Sequence, residues 1–271
     1  MKKIELYQVD AFTDALFKGN PAAVCPLDSW LSEELMQNIA LENNLSETAF
    51  YVQKGDVFEI RWFTPTHEID LCGHATIATA FVEFFIKKNT SQFLKFVNTK
   101  KQNLEVSLKG ELLELDFPIE QVKAISLKEE LKEPFNHQPL EAYVTNEDED
   151  VVLVFENASQ IQNLIPNFNL LTKLDYRGIL VTAKGDDTDI VCRFFAPNYG
   201  INEDPVTGYA HTILIPFWSK RLNTTKITSQ QLSKRTGMLF CELHGERVKI
   251  AGKAKLYLKG EIEVHQNELP Q

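Results

Sequence analysis

The chain has 271 residues, of which 44% are hydrophobic, so it can build one large or two ordinary domains with packed cores. Its formal net charge is −10 and its lysines and arginines never stand more than two in a row, which argues against a nucleic-acid or anionic-membrane surface and favours a small-molecule partner. Four cysteines without a C-x-x-C pair, and no apolar run of about 18 residues, predict a soluble cytoplasmic protein with free thiols.

In the first half of the chain the hydrophobic pattern predicts two helices among strands. Residues 29–44 place apolar side chains on one face of an amphipathic helix, with two glutamates in its favourable first turn. A β-rich segment with a K-G-D turn follows. After Gly73, apolar residues recur at helical spacing on so many sides that this second helix should be buried nearly all round. Residues 104–118 then alternate as in a β-hairpin.

The second half begins near a change of composition. Residues 119–150 are polar and acidic, and we place the domain boundary at the start of this stretch, which divides the chain into residues 1–120 and 121–271. The N-E-D-E-D run at the end of the stretch is interpreted as a solvated turn. Further along, a second apolar helix is predicted after residue 208, and residues 247–264 alternate as in another hairpin.

One segment of the chain occurs twice. Residues 49–78 resemble residues 178–213, with an offset that grows from 130 to 135 residues. Each copy predicts a hairpin, a loop and an apolar helix, and the glycine of each K-G-D turn is expected to supply the positive φ that a tight turn needs. The matching triplets are K-G-D at 54–56 and 184–186, R-W-F and R-F-F at 61–63 and 193–195, and G-H-A and G-Y-A at 73–75 and 208–210.

The repeat predicts two similar α+β halves with a cleft between them, and clefts of this kind usually hold small ligands. Both apolar helices begin behind a glycine, so their first backbone amides and the positive end of each helix dipole are expected to face that cleft. The amides near Gly73 and His74, and those near Gly208 and Tyr209, would then hold a carboxylate or enolate oxygen.

Two carboxyl groups are candidates for proton transfer. Asp204 lies in the acidic loop just before the second helix, at the rim of the expected anion pocket. Glu47 precedes a strand of the first repeat whose residues look buried, a setting that suits a group able to take and return a proton. Glu47 could equally be a strand-edge residue or a cap, and the pattern does not decide between these roles.

The residues around the first helix start allow further roles. His74 suits a proton shuttle or a hydrogen-bond donor, or is an ordinary first-turn histidine. Cys72 could be a thiolate activated by the helix N-terminus, although a buried structural cysteine is the commoner case. Four possible metal ligands lie within eight residues, but none of their spacings is a familiar metal motif and we expect no metal: His67, Glu68, Asp70 and His74.

Several motifs, in order along the chain, resemble those of the PhzF-like phenazine-biosynthesis isomerase family. They are V-D-A-F-T-D-A-L-F-K-G-N-P-A-A-V, N-L-S-E-T-A-F, D-L-C-G-H-A-T-I-A, E-D-P-V-T-G-Y-A-H and Q-L-S-K-R-T-G. The resemblance implies a diaminopimelate-epimerase-like fold, in which two related domains each wrap a curved, mostly antiparallel sheet around a central helix. It also implies a homodimer without metal or organic cofactor and an active site between the domains.

The resemblance carries over to individual residues. The family's catalytic glutamate, histidine and aspartate match Glu47, His74 and Asp204, and Cys72 matches one of the two cysteines that flank the substrate in related epimerases. Substrate contacts are implied for Asn20, Cys72, Gly73, Gly208 and Tyr209. The chain departs from the family at Tyr209, where a small serine is usual, and at Thr236, where a second glycine is common.

The sequence therefore predicts a cofactor-independent isomerase that moves a proton between carbons of a small carboxylate-bearing metabolite by general acid/base catalysis. One alternative is a thiol-based racemase or epimerase that uses Cys72. Another is a non-catalytic ligand-binding protein whose site has been closed by Tyr209.

Overall fold

The computed structural model describes residues 2–147 and 149–264. The chain forms two compact units, one made of Met1–Asp116 together with the segment from Ala251, and the other of Phe117–Ile250. Of the helices in the described ranges, none combines the length and hydropathy that a membrane-spanning helix needs.

Among its described residues, the first unit holds nine strands and two α-helices. The strands are β1 Lys2–Ala11, β2 Asn20–Leu27, β3 Glu47–Lys54, β4 Val57–Phe63, β5 Glu68–Ile69, β6 Phe93–Val97, β7 Asn103–Lys109, β8 Leu112–Pro118 and, from the end of the chain, β18 Ala254–Val264. The helices are α1 Glu33–Asn43 and α2 Gly73–Phe81, and α2 continues into a π-helical turn over Val82–Ile86.

Strand β18 explains why the end of the chain belongs to the first unit and not, as the division at residue 120 would have it, to the second. It pairs antiparallel with β1 from Lys2↔Val264 to Ala11↔Ala254. This ladder satisfies the backbone groups along one side of β1, while β2 satisfies part of the other. Within the stretch 247–264, which was predicted to alternate as in a hairpin, β18 runs without a break from Ala254 to Val264.

Helix α2 is the centre of the first unit. It packs against β1, β2, β3, β7 and β18, and its residues from His74 to Ala80 are all buried, which confirms the helix predicted after Gly73. Helix α1 begins after the cap Ser32, whose hydroxyl accepts a hydrogen bond from the Leu35 amide. Its buried face, which includes Leu35 and Ile39, packs into a core with Phe50.

In the part of the second unit that the structure describes there are nine strands and three short or medium α-helices. The strands are β9 Val122–Ile125, β10 Glu141–Thr145, β11 Asp150–Val154, β12 Gly178–Lys184, β13 Ile190–Ala196, β14 Ile201–Asp204, β15 Lys226–Gln231, β16 Gly237–His244 and β17 Arg247–Gly252. The helices are α3 Ala158–Gln162, α4 Phe168–Leu171 and α5 Ala210–Leu222, with 3-10 turns at Glu129–Leu131 and Pro197–Tyr199.

The two units repeat one pairing scheme. In the first, β2 is parallel to β3, β3 antiparallel to β4, β4 parallel to β6 and β6 antiparallel to β7. In the second, the same sequence of pairings runs through β11, β12, β13, β15 and β16. The predicted repeat of hairpin, loop and helix is thus present as β3, β4, β5 and α2, and as β12, β13, β14 and α5.

The two predicted K-G-D turns, the acidic run and Thr236 can each be compared with the structure. Gly55 has φ 61°, as the first K-G-D turn requires. Gly185 has no positive φ; a Cβ there would lie 2.2 Å from the Thr188 carbonyl oxygen, so close packing is what demands glycine. The acidic run is not wholly a solvated turn, because its last residue, Asp150, is completely buried. Thr236, which replaces a common glycine, adopts φ 58°.

Candidate active site

Glu47 and His74 meet inside the first unit. Glu47 is the first residue of β3, where Ala22 of the parallel strand β2 is its partner, and His74 is the second residue of α2. Each residue is only 7% exposed, and His74 Nε2 lies 2.9 Å from Glu47 Oε2. The contact is close enough for an ion pair, although its angle is not that of a well-formed hydrogen bond.

The other ring nitrogen of His74 faces two further predicted site residues. Asn20 Nδ2 lies 3.3 Å from His74 Nδ1, and Cys72 Sγ lies 3.5 Å from the same atom. Asn20 is the first residue of β2 and is fully buried, while Cys72 directly precedes α2 and is 6% exposed. The first unit therefore brings together four of the predicted residues around one imidazole.

The ionisation of this group is governed by burial and by its own charges. Burial raises the pKa of the Cys72 thiol, and the nearby Glu47 carboxylate raises it further, so the thiol stays protonated near neutral pH. For His74, burial works to lower the pKa, but the interactions with Cys72 and Glu47 outweigh burial and the pKa lies well above its usual value. We regard Glu47 as the main cause of the raised pKa of His74, because the Cys72 thiol is neutral near neutral pH.

The two oxygens of Glu47 have different surroundings. Oε2 faces His74, and in the described part of the chain Oε1 accepts no hydrogen bond from a protein group. A carboxylate that is held at one oxygen and unengaged at the other has the geometry of a general base, since the second oxygen can approach a substrate C–H or receive its proton.

A metal centre is the other arrangement that these side chains suggest. The ligand atoms of Glu47, Cys72 and His74 lie within 4.8 Å of one another and all three residues are buried. The imidazole ring stands between the other two, because Glu47 faces Nε2 and Cys72 faces Nδ1. Zinc would take one nitrogen at about 2.0 Å and need sulfur and oxygen on the same side, so this arrangement fits a chain of polar contacts better.

Asp204 lies in the second unit, at the end of β14 and half-buried. The Thr207 hydroxyl donates a short hydrogen bond to its Oδ2, and Gln231 donates to its backbone carbonyl at 2.8 Å. Gln231 also accepts a bond from the Thr207 amide at 2.8 Å and is fully buried. Gln231 thus ties the acidic loop to β15, a role that its place at the start of Q-L-S-K-R-T-G could have suggested.

Gly208 and Tyr209 stand at the start of α5, whose first turn has no side-chain cap. The Tyr209 hydroxyl donates to Asp150 Oδ2 at 2.9 Å and accepts from Arg177 Nη2 at 2.6 Å. The Arg177 guanidinium also lies 4.8 Å from the centre of the Tyr209 ring. Burial, together with Asp150, raises the pKa of Tyr209, so the phenol stays protonated. Sequence reasoning missed Arg177 and Asp150 because neither lies in a recognised motif.

His211, in the first turn of α5, is a second buried histidine with a different environment. Its Nδ1 lies 2.9 Å from the Thr207 carbonyl and its Nε2 lies 2.8 Å from the Ser229 hydroxyl. Both partners are uncharged, and burial lowers the pKa of His211 to about 4. The ring is therefore neutral, donating to Thr207 and accepting from Ser229, and it adds a second anchor for the acidic loop.

Comparison with known proteins identifies the chain as an isomerase. The structure is similar to a hydroxyproline epimerase from Agrobacterium vitis, with a TM-score of 0.62 at 9% identity over 96% of this chain and 92% of that one, a likeness of fold alone. It superposes on a PhzF-family protein from Enterococcus faecalis with a TM-score of 0.94 at 46% identity, covering 97% of this chain and 100% of that one. The predicted diaminopimelate-epimerase-like fold is confirmed.

The sequence comparisons agree with the structural ones. An uncharacterized isomerase of Pseudomonas aeruginosa is 45% identical over 262 residues, which are 97% of this chain and 100% of that protein. The family of phenazine biosynthesis-like proteins, PhzC-PhzF, matches residues 9–260. The chain belongs to this family, as its motifs predicted.

Proposed function

We propose that the protein is a cofactor-independent isomerase that moves a proton between carbons of a small carboxylate-bearing metabolite, with Glu47 as the acid/base group. Glu47 removes a proton from one carbon, the electron pair stays on the substrate, and the same carboxyl group returns the proton to another carbon. Membership of an isomerase family supports the reaction class. The proton-transfer mechanism and the carboxylate substrate are the parts that this proposal adds.

The observation that carries the proposal is the buried contact between Glu47 and His74. Glu47 Oε2 and His74 Nε2 lie 2.9 Å apart and each residue is only 7% exposed, so a carboxyl group is held beside an imidazole with little access of water. General acid/base catalysis accounts for about 10² to 10⁴ in rate, so substrate positioning and charge stabilisation must supply the remainder.

Charge stabilisation is assigned to the backbone amides at the two helix starts. Neither α2 nor α5 has a side-chain cap, so the amides near Gly73 and Gly208 are the groups proposed to hold the substrate's negative charge. Asp204 is proposed to orient the substrate or assist proton movement. The bonds from Thr207 and Gln231 keep its carboxyl group in one place, which suits either role.

The alternative mechanism, a racemase or epimerase that uses the Cys72 thiol, is favoured by one contact and disfavoured by the ionisation of the thiol. Cys72 lies 3.5 Å from His74 Nδ1, close enough for that ring to act as its base. However, burial and Glu47 both raise the pKa of the thiol, whereas a catalytic thiolate needs a lowered one. Proton transfer by Glu47 is therefore the stronger proposal.

The homodimer implied by the resemblance remains a prediction that size-exclusion chromatography would test.

The test is the replacement Glu47→Gln, followed by incubation in D₂O with a panel of unsaturated and cyclic carboxylates. The wild type should introduce deuterium at carbon in at least one of them, and Glu47→Gln should lose about 10² to 10⁴ of that rate because the amide cannot take the proton. Glu83→Gln is the matched control, since Glu83 is also a buried glutamate of the first unit and its carboxyl group accepts a hydrogen bond from the Tyr51 hydroxyl. It should keep near wild-type turnover.

Three outcomes would contradict the proposal. Full labelling by Glu47→Gln would remove Glu47 from its role, and loss of labelling in Cys72→Ser with retention in Glu47→Gln would favour the thiol mechanism. Binding of a carboxylate without any labelling by the wild type would favour a ligand-binding protein.

A further inference from the structure

The Asn20 side chain contacts the imidazole of His74, a contact that substrate binding by Asn20 would not require. It opens β2, where it is paired with Ala11 of β1, and its side chain is completely buried. Its amide nitrogen lies 3.3 Å from His74 Nδ1. The role that the sequence suggested for this residue, direct substrate binding, leaves this contact unexplained.

Two groups that can donate a hydrogen bond converge on His74 Nδ1. The first is the Asn20 amide, and the second is the Cys72 thiol, which burial keeps protonated. The Asn20 N–H can donate to Nδ1 only if that nitrogen presents its lone pair, whereas the thiol sulfur can act as a weak donor or a weak acceptor there. A neutral imidazole with Nδ1 unprotonated must carry its hydrogen on Nε2, the atom that faces Glu47 Oε2.

We infer that Asn20 is a positioning residue that fixes His74 as the tautomer with its proton on Nε2, so that His74 holds Glu47 in place and Glu47 alone exchanges protons with the substrate. The inference rests on the proposed acid/base role of Glu47. In this arrangement Oε2 stays directed at the imidazole and Oε1 is the oxygen left for the substrate. His74 thereby acts through Glu47.

The charged and titratable groups that face His74 favour a second proton on its ring, whereas the Asn20 N–H disfavours it. Among the described residues, β3 presents Glu47 and the segment before α2 presents Cys72, and these raise the pKa of the ring. A second ring proton would sit on Nδ1 and point at the Asn20 N–H, so two donors would oppose each other. The Asn20 N–H thus opposes the second ring proton without cancelling the rise in the pKa of His74 that Glu47 causes, and it selects the tautomer of the ring when the ring is neutral.

The test is ¹⁵N nuclear magnetic resonance of the full-length protein labelled at histidine, with His74 assigned by its loss in His74→Gln. In the wild type, the neutral ring should show Nδ1 as the unprotonated nitrogen and Nε2 as the protonated one. Asn20→Ala should give a mixture of tautomers, and Asn20→Asp should keep both nitrogens protonated to higher pH because a carboxylate accepts the Nδ1 proton. Asn98→Ala is the control, since Asn98 is a buried asparagine of the same unit that bonds to Asp70 and Gln102.

The kinetic arm of the experiment separates a positioning residue from a substrate contact. Asn20→Ala should lower kcat for deuterium incorporation by roughly 10- to 100-fold, less than the loss on removing Glu47, with little change in KM. A wild-type ring that carries its proton on Nδ1, or Asn20→Ala with unchanged tautomers, would overturn the inference, as would a raised KM with unchanged kcat. If no carboxylate is labelled by the wild type, the proposed function fails while the tautomer measurement still decides the role of Asn20.

Discussion

Helices α2 and α5 begin at equivalent places in the two repeats but carry different chemistry. At the start of α2, His74 lies 2.9 Å from Glu47, and at the start of α5, Tyr209 lies 2.6 Å from Arg177. The offset of 130 residues that relates the two K-G-D turns makes Arg177 the counterpart of Glu47, and the G-H-A and G-Y-A triplets make Tyr209 the counterpart of His74. The same pair of positions is in contact in both units.

The difference lies in what the two pairs can do with a proton. The pair in the first unit consists of groups that can take up or release a proton, whereas arginine is always charged and burial raises the pKa of Tyr209. Asp150, which is fully buried, further ties Arg177 and Tyr209 together. One fold thus supports a carboxyl–imidazole pair in one unit and an arginine–phenol pair that stays protonated in the other, which is why the proposed catalytic base is placed in the first.

A second pair of equivalent residues keeps the same role in both units. Arg61 on β4 donates to both oxygens of Glu68 at 2.7 and 2.5 Å, and Arg193 on β13 donates to both oxygens of Glu203 at 2.7 and 3.0 Å. Arg193 also donates to the carbonyls of two residues near α3, at positions 161 and 164. These arginines fix the short strand that leads to each helix, so they belong to the framework of the repeat.

The largest effect is expected from breaking the framework pair in the second unit. Arg193→Ala should lower the free energy of unfolding by about 3–5 kcal/mol, because it leaves Glu203 unpaired and removes the donor from two carbonyls in a buried region. Arg61→Ala should lower the free energy of unfolding by only about 1–3 kcal/mol, since among the described residues the Arg61 side chain bonds to two carboxylates and to no carbonyl, and its partner Glu33 is largely exposed. Chemical denaturation of both variants measures the difference.

Equal losses in the two variants would mean that the carbonyl contacts of Arg193 add nothing. Arg193→Lys serves as the control for charge, because it keeps the positive charge but cannot donate to Glu203 and to the carbonyls at the same time. It should recover only part of the stability lost in Arg193→Ala.

The two buried histidines should give stability opposite dependences on pH. The pKa of His211 falls to about 4 on folding, so the unfolded chain binds a proton first as the pH drops below about 6.5, and stability should decline by roughly 3 kcal/mol between about pH 6.5 and 4. The pKa of His74 is raised on folding, so its contribution is present below about pH 6.5 and is lost as the pH rises through its higher folded value.

Unfolding measured across this pH range in His211→Gln and His74→Gln tests the contrast. The first variant should flatten the acid side of the stability profile and the second should flatten the neutral-to-alkaline side. An acid-side slope that is the same with and without His211 would show that the carboxyl groups account for it and that the burial of this ring has little effect.

The sequence predicted the parts of the structure that depend on local pattern. The two glutamates expected in the first turn do stand at the start of α1, and the spacing after Gly73 predicted the buried helix α2, because helix-end preferences and periodicity act over a few residues. Glu47 and His74 were singled out from their motifs. Their contact could not be derived, since it depends on the register of β3 beside β2 and on the placement of α2.

The residues that were missed all act over long stretches of chain. Asp150 looked like the end of a solvated acidic run, but its partners are Arg177 and Tyr209, 27 and 59 residues away. Gln231 binds the acidic loop across 27 residues. Such buried polar residues produce no periodic pattern in the sequence, because each one is hydrogen-bonded to a partner that lies far away along the chain.

The smallest expected effect concerns the hydroxyl of Tyr209. Tyr209→Phe should lower stability by about 1 kcal/mol, or about 2–4 °C in Tm, because it removes one hydrogen bond to Asp150 and one from Arg177 while the ring stays against the guanidinium. Turnover should stay within a few-fold of the wild type, since that hydroxyl is already engaged inside its own unit. Tyr199→Phe, at a tyrosine that is 62% exposed, is the control and should change stability by less than about 0.5 kcal/mol. A loss of turnover as large as that of Glu47→Gln would instead place the Tyr209 hydroxyl among the acid/base groups. The contrast between the carboxyl–imidazole pair of the first unit and the arginine–phenol pair of the second would then no longer hold.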